Sequence, residues 1–405
     1  MSTFPGYIPE LPGIGIDRFD ETVRDRARVF FLSHCHADHM EGLSTSQPLP
    51  GTLYMSPHSA VIIGHRYPKE TVYLLPSSER ITLLITAPTG ESTYELCVRT
   101  VPAEHCPGSV MFYFETKTVR VLYTGDFRPS ADSMAVIKQD RIQPGIIYLD
   151  STFLEREYMY FPTRQESINR IIAICTQWLE ADQRNIVSLW PAATYGTEEL
   201  FRQLYTHLHH RIHIYEAQRA TYNHFEMLKD VFTDDRMSTR VHACNGKTVR
   251  GEISCRIEKA NPKHVLLIRP SARKWRNLKR DDPFWSEGRK NLLFVCYSSH
   301  ASSMELVEFL RSFQPEAKDI RFNVVADETD ATRKKQYLHS LLSPDDGCQM
   351  EENVHDETEA VYTLPNIDFG ASASNEPPDD WEQSAIAKED SDESMSPPSK
   401  TARYC

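Results

Sequence analysis

The segment His34-Cys35-His36-Ala37-Asp38-His39 concentrates three imidazoles and one carboxylate in six residues, directly behind the apolar run Val29–Ser33. Alternate residues leaving a strand point the same way, so His34 and His36 can grip one cation between them. Asp38 and His39, carried around the following turn, do not reach that ion in the same geometry and suit a second ion beside it. Imidazole mixed with carboxylate oxygen suits zinc, manganese or iron, and such a set can leave the open position that catalysis needs. Two other segments supply the same ligand types. Ala103-Glu104-His105-Cys106-Pro107-Gly108 offers His105 at a strand-to-turn boundary, and the run Val119–Thr124 delivers Gly125-Asp126 at its end. Taken singly, a loop His or Asp is more often a capping residue than a ligand. Beside His34–His39 the two read as the rest of one site.

Bringing such distant segments together requires layers, and short apolar runs alternate with helical patterns throughout the first 340 residues, which predicts an α/β fold. Val29–Ser33, Met111–Phe114, Val119–Thr124, Ile146–Asp150, Ile186–Trp190, Val265–Arg269, Leu292–Tyr297 and Phe322–Val325 read as strands. Thr163 with Glu166, and Ser302 with Glu305, form capping boxes that open two amphipathic helices.

The chain has 405 residues and a formal charge of −12. Of its 45 basic and 57 acidic residues, 3 and 16 lie between Leu341 and Cys405, leaving 42 against 41 elsewhere. A polyanionic partner is therefore compatible with the body of the chain. The tail 341–405 is acidic, rich in Pro and Ser, and expected to be disordered. No apolar run approaches the ~20 residues of a membrane helix, and the N-terminus lacks the pattern of a secretory signal, so no membrane association is expected. Nine cysteines without a Cys-x-x-Cys pair read as free thiols or ligands rather than a disulfide framework. Asn245-Gly246-Lys247-Thr248 lacks the upstream glycine of a phosphate-binding loop, and neither Gly-x-Ser-x-Gly nor His-Glu-x-x-His occurs.

Two quieter groups remain. His242-x-Cys244 is a two-ligand clip, which His213 and Cys255 would complete to the closed two-thiolate, two-imidazole tetrahedron of structural zinc. Arg273-Lys274-Trp275-Arg276-Asn277-Leu278-Lys279-Arg280 sets five basic groups around one indole. It reads either as a solvated loop or as a DNA-binding patch, with Trp275 stacking on an unpaired base.

With His34–His39, His105-Cys106-Pro107-Gly108 and Thr124-Gly125-Asp126 together, the sequence resembles the metallo-β-lactamase fold. Ile14-Gly15-Ile16-Asp17-Arg18-Phe19, Tyr148-Leu149-Asp150-Ser151-Thr152-Phe153, Val241-His242-Ala243-Cys244 and Ser299-His300-Ala301-Ser302 extend the likeness to the β-CASP branch and its DNA cross-link repair group. The likeness spans about residues 11–326 and is stronger to the end-joining nuclease of that group than to its exonucleases. It implies an αββα sandwich over 1–152, an inserted β-CASP lobe over 153–289 and a return segment over 290–330. His34, His36, His105 and Asp126 would hold zinc, and Asp126 would bridge to a second divalent ion (zinc, magnesium or manganese) near Asp38 and His39. Asp17 would orient a ligand histidine, as metal-bound imidazoles require. Asp38, Asp150 and His300 would act in catalysis, and His213, His242, Cys244 and Cys255 would hold structural zinc in the inserted lobe. The implied function is a nuclear, metal-dependent DNA nuclease opening hairpins and trimming overhangs in end joining. Its implied partners are DNA ends, the DNA-dependent protein kinase and end-joining factors. The alternatives are a 5′-exonuclease of cross-link repair, a small-molecule metallo-hydrolase and a non-enzymatic scaffold.

Overall fold

Alternation along the strand Val29–Leu32 sets the layering. Phe30 and Leu32 bury on one side with Val23, Ile62 and Ile63 of the helices Glu21–Arg26 and Pro57–Arg66, while Phe31 buries on the other with Phe112, Phe114 and Val121. The computed structural model describes residues 2–343 apart from 77–78, 88–89, 91–92, 192, 215, 245–259, 289–290 and 314–318. Val29–Leu32 lies in a four-stranded parallel sheet with Ile14–Ile16, Thr52–Met55 and Val72–Leu74. Facing it is a six-stranded sheet in the order Asp319–Phe322, Ile146–Leu149, Arg120–Tyr123, Val110–Glu115, Thr93–Pro102, Arg80–Thr86, whose first two pairings are parallel and the rest antiparallel. Its outer face, with Leu122, Ile147 and Leu149, packs on Ile137, Phe309 and Leu338 of the helices Ala131–Gln139, Ser303–Arg311 and Glu328–Leu342. The result is helix, sheet, sheet, helix.

The inserted lobe is a seven-stranded sheet, parallel except at Trp285–Glu287, with Ile186–Leu189 and Val265–Ser271 near its centre. The helix Arg164–Ala181 buries Ile168, Ile171, Ile174, Trp178 and Leu179 in the same core as Val187, Ile268 and Val295, and its Thr163/Glu166 capping box is closed.

Three details depart from the sequence reading. Leu292–Cys296, assigned there to the return segment 290–330, pairs with Val265–Ser271 inside the inserted sheet. Its five apolar residues suit a strand with neighbours on both edges, and Trp285–Glu287 flanks its other side. Among the described residues, the last strand is Asp319–Phe322 rather than Phe322–Val325. At a sheet edge, alternation decides: Ile320 and Phe322 face the core, while Arg321 bonds Glu10 and Asp319 outside it. Finally, Leu341 and Leu342, placed in the acidic tail 341–405, end the helix Glu328–Leu342 and pack on the core. The rest of the tail, from residue 344, and Cys255 lie outside the described residues. Among the described residues, no helix is long and apolar enough to cross a membrane, and Cys35, Cys97, Cys106, Cys175 and Cys296 are free thiols.

Candidate metal centre

The adjacent parallel strands Arg120–Tyr123 and Ile146–Leu149, in register at Tyr123 and Tyr148, end side by side and deliver Asp126 and Asp150. Across the sandwich, Val29–Leu32 ends at Ser33-His34, and the Ser33 carbonyl accepts from the Val110 amide at 3.0 Å, tying one sheet to the other. Left-handed backbone marks the turns beside the ligand types: Asp17 at φ 51°, Glu104 at 57° and Gly125 at 54°. Such strain concentrates where side chains must be aimed. Only glycine fits at 125, because a Cβ there would stand 2.6 Å from Ser33 Oγ.

These turns bring His34, His36, His105 and Asp126 together, with one ligand atom from each within 4.8 Å of the others. His36 Nδ1 lies 3.1 Å from His34 Nε2 and 2.9 Å from His105 Nε2. Asp126 Oδ2 lies 3.8 Å from His34 Nε2 and 3.7 Å from His105 Nε2, and its Oδ1 lies 3.4 Å from His39 Nε2. Asp38 Oδ2 stands 3.8 Å from that same His39 nitrogen and accepts from the Ser2 amide at 2.8 Å.

The outward nitrogens decide the protonation. His36 Nε2 meets the Tyr195 carbonyl at 3.0 Å, and His105 Nδ1 meets the Ser299 carbonyl at 3.1 Å. A carbonyl only accepts, so both nitrogens carry hydrogen. His39 Nδ1 donates to Asp17 Oδ2 at 2.9 Å. Ser33 Oγ gives its proton to the same Asp17 oxygen and so accepts from His34 Nδ1 at 3.0 Å. In the neutral rings, the four inward nitrogens therefore carry lone pairs and no proton. Burial favours that state in three of them, holding His34 and His105 well below the usual imidazole range and lowering His36. His39 differs: against the effect of burial, Asp126 and Asp17 hold it well above that range. Burial would raise Asp126, but His39, His300 and His105 hold it well below the usual carboxylate range. His36 Nδ1 and His105 Nε2, both without hydrogen at 2.9 Å, repel one another, and buried His39 Nε2 makes no hydrogen bond. A divalent cation resolves both conflicts, so the donor set fits a metal.

Asp150 and His300 form an adjoining pair. His300 Nδ1 donates to Asp150 Oδ2 at 2.7 Å, and Asp150 Oδ1 accepts from the Thr152 amide at 2.9 Å and hydroxyl at 2.6 Å. Burial opposes the charge on His300, yet Asp150 raises its pKa. Ligand atoms of Asp126, Asp150 and His300 also cluster within 4.8 Å. Sequence reasoning missed the acceptors that set the tautomers. Ser33 was visible as the residue before His34, but the Tyr195 and Ser299 carbonyls leave no trace in residue type.

In the inserted lobe, His213 and His242 stand opposite each other on paired parallel strands, and their ligand atoms gather with that of Cys244. The basic segment is split by burial. Trp275 is 8% exposed and packs with Phe153, Tyr158, Phe161 and Leu278. The expectation that it stacks on a base is therefore corrected: the indole closes a hydrophobic cluster. Lys274 Nζ sits 3.8 Å from the Phe294 ring centre, and Arg276 Nε donates to the Tyr158 hydroxyl at 3.3 Å. Arg273, Arg276, Lys279 and Arg280 are exposed.

Residues 226–320 match the family model described as DNA repair metallo-beta-lactamase. Over that segment the chain carries a DNA repair metallo-beta-lactamase domain. It is 30% identical to human protein artemis over 340 residues, 78% of this chain and 48% of that protein. The chicken protein artemis is 32% identical over 343 residues, 78% of this chain and 47% of that one. Rat 5′ exonuclease Apollo is 31% identical over 315 residues, 76% of this chain and 53% of the relative. The chain thus spans about half the length of the curated relatives it matches. The matched family's description implies divalent-metal binding, and the His and Asp clusters described above are the groups here that could hold such an ion.

Proposed function

We propose that this chain is a metal-dependent DNA nuclease that opens hairpins and trims overhangs in nuclear end-joining repair. One observation carries the reading: four imidazole nitrogens and two carboxylates converge, and outward hydrogen bonds leave the inward nitrogens of His34, His36 and His105 without a proton. His34, His36, His105 and Asp126 would hold zinc, and Asp126, Asp38 and His39 a second divalent ion (zinc, magnesium or manganese). Such ions supply Lewis-acid activation of water and stabilise charge on phosphodiester oxygens. Asp38, whose Oδ2 is held by the Ser2 amide, takes the water proton on its other oxygen. His300, anchored through Nδ1 on Asp150, keeps Nε2 for the phosphate or the departing oxygen. Asp17 keeps His39 in the ligating tautomer. Exposed Arg273, Arg276, Lys279 and Arg280 neutralise backbone phosphates. His213, His242 and Cys244, with Cys255 from outside the described residues, hold structural zinc. DNA-dependent protein kinase and end-joining factors are the proposed protein partners.

The similarity to a 5′ exonuclease at 31% identity supports a second reading, attack from a 5′ end. End-labelled hairpin, overhang and single-stranded DNA, and RNA, each with and without 5′-phosphate, separate the two. Internal cuts at hairpin tips and overhang junctions support the first reading, and processive loss of 5′ nucleotides the second. His36→Ala with Asp38→Ala should abolish cleavage in a folded chain; full activity of that double variant would end the proposal.

A further inference from the structure

Among the described residues, the inserted lobe gives no side chain to the candidate ligand cluster, yet one of its segments rests against it. The Tyr195 carbonyl is the acceptor for His36 Nε2, and the Tyr195 ring stacks on the His36 ring at 6.4 Å between centres with a 24° tilt. Next to it, Gly196 adopts φ +114°, where a Cβ would stand 3.4 Å from the His105 carbonyl oxygen. This segment thus lies against two of the metal-centre histidines at once.

What holds it there is a buried acid that the proposed chemistry does not use. Glu198, 1% exposed, opens the helix Glu198–Leu208. Its Oε2 accepts from the Gly196 amide at 2.7 Å, and its Oε1 accepts from the Tyr222 hydroxyl at 2.7 Å. The Gly196 carbonyl is fixed in turn by the Tyr297 hydroxyl at 3.1 Å. Burying a carboxyl group is costly unless it is hydrogen-bonded, and here one oxygen is engaged by the Gly196 amide and the other by Tyr222.

We propose that Thr194–Glu198 is a built part of the metal centre and that Glu198 is its positioning residue. Through the Gly196 amide, Glu198 holds the Tyr195 carbonyl on His36 Nε2, which keeps Nδ1 of His36 unprotonated for the cation. Affinity at the first site is then set partly by the inserted lobe. The inference rests on the metal-centre reading above.

The test is zinc affinity of the full chain by competition with a chromogenic chelator, together with the absorption spectrum of the cobalt-loaded form. The relevant ion is the one that His36→Ala removes. If the unaltered chain binds no such ion, the proposed function falls, and this inference with it. If it does, Glu198→Ala should weaken that ion about 10- to 100-fold, the range for losing a partner behind a metal-bound histidine, and should change the cobalt spectrum. Glu198→Gln, which keeps an acceptor for Gly196, should restore both. Leu204→Ala, fully buried on the same helix, should lower the unfolding temperature and leave affinity alone. Unchanged affinity in Glu198→Ala, or an equal loss in Leu204→Ala, overturns the proposal. Should Glu198→Ala not fold, Tyr222→Phe carries the test: a smaller loss supports it, and none overturns it.

Discussion

Replacing Asp17 by Asn changes one atom and should disable two ligands. The buried carboxylate accepts from the Ser33 amide at 2.7 Å, the Ser33 hydroxyl, His39 Nδ1 at 2.9 Å and the Tyr123 hydroxyl at 3.0 Å. The backbone amide cannot turn round, so the Asn oxygen must stay on Ser33 N and its NH2 must face the other three. The two hydroxyls can rotate to accept. His39 can accept only by moving its proton to Nε2, the nitrogen that faces Asp126 and Asp38. Ser33, once it accepts from Asn, donates to His34 Nδ1 and drives that ring's proton inward as well. Each wrong tautomer should weaken its ion about 10- to 100-fold, or roughly 1.4 to 2.7 kcal/mol. The metal-free fold should lose about 1.5–3 kcal/mol for charge-assisted hydrogen bonds, against roughly 5–15 kcal/mol of stability, and so survive. Chelator competition measures the ions, and thermal unfolding in excess chelator measures the fold. Two ions held by Asp17→Asn at unaltered affinity would refute the tautomer argument.

Other expectations follow from the same contacts. Gly125→Ala, strained at φ 54° and blocked by Ser33, should displace Asp126 and lower metal content while secondary structure by circular dichroism is retained. Trp275→Ala should cost about 3–5 kcal/mol in denaturant unfolding, as for a core aromatic, and leave the salt dependence of DNA binding alone. Neutralising Arg276, Lys279 and Arg280 together should do the reverse, flattening that salt dependence with little effect on stability. Cys244→Ser should remove one zinc per chain and lower the unfolding temperature without touching the ions at His34 and His36; unchanged zinc content would rule out the structural site.

The sequence exposed what depends on residue type at short range. His34 and His36 converge because alternate residues leave one strand together, and Thr163 with Glu166 marks a helix start through local hydrogen bonds. Asp126 and Asp150 follow apolar runs that read as strands, and pairing in the structure makes those strands neighbours. Long-range packing was less legible. Leu292–Cys296 reads equally well as a strand of either lobe, and only pairing with Val265–Ser271 decides. Asp319–Phe322 hides its core residues behind two charges that an edge strand tolerates. Trp275 among five basic residues suggests an exposed stacking surface, yet the aromatic partners that bury it are supplied from Phe153–Phe161, far upstream. Backbone carbonyls are the least legible of all, although those of Tyr195 and Ser299 set the state of two imidazoles.

Anomalous diffraction across the zinc absorption edge, from crystals of protein purified without chelator, addresses the centre most directly. The account predicts a peak within bonding distance of His34 Nε2, His36 Nδ1, His105 Nε2 and a carboxylate oxygen of Asp126. Crystals of catalytically active protein with no anomalous scatterer among those four atoms would contradict it.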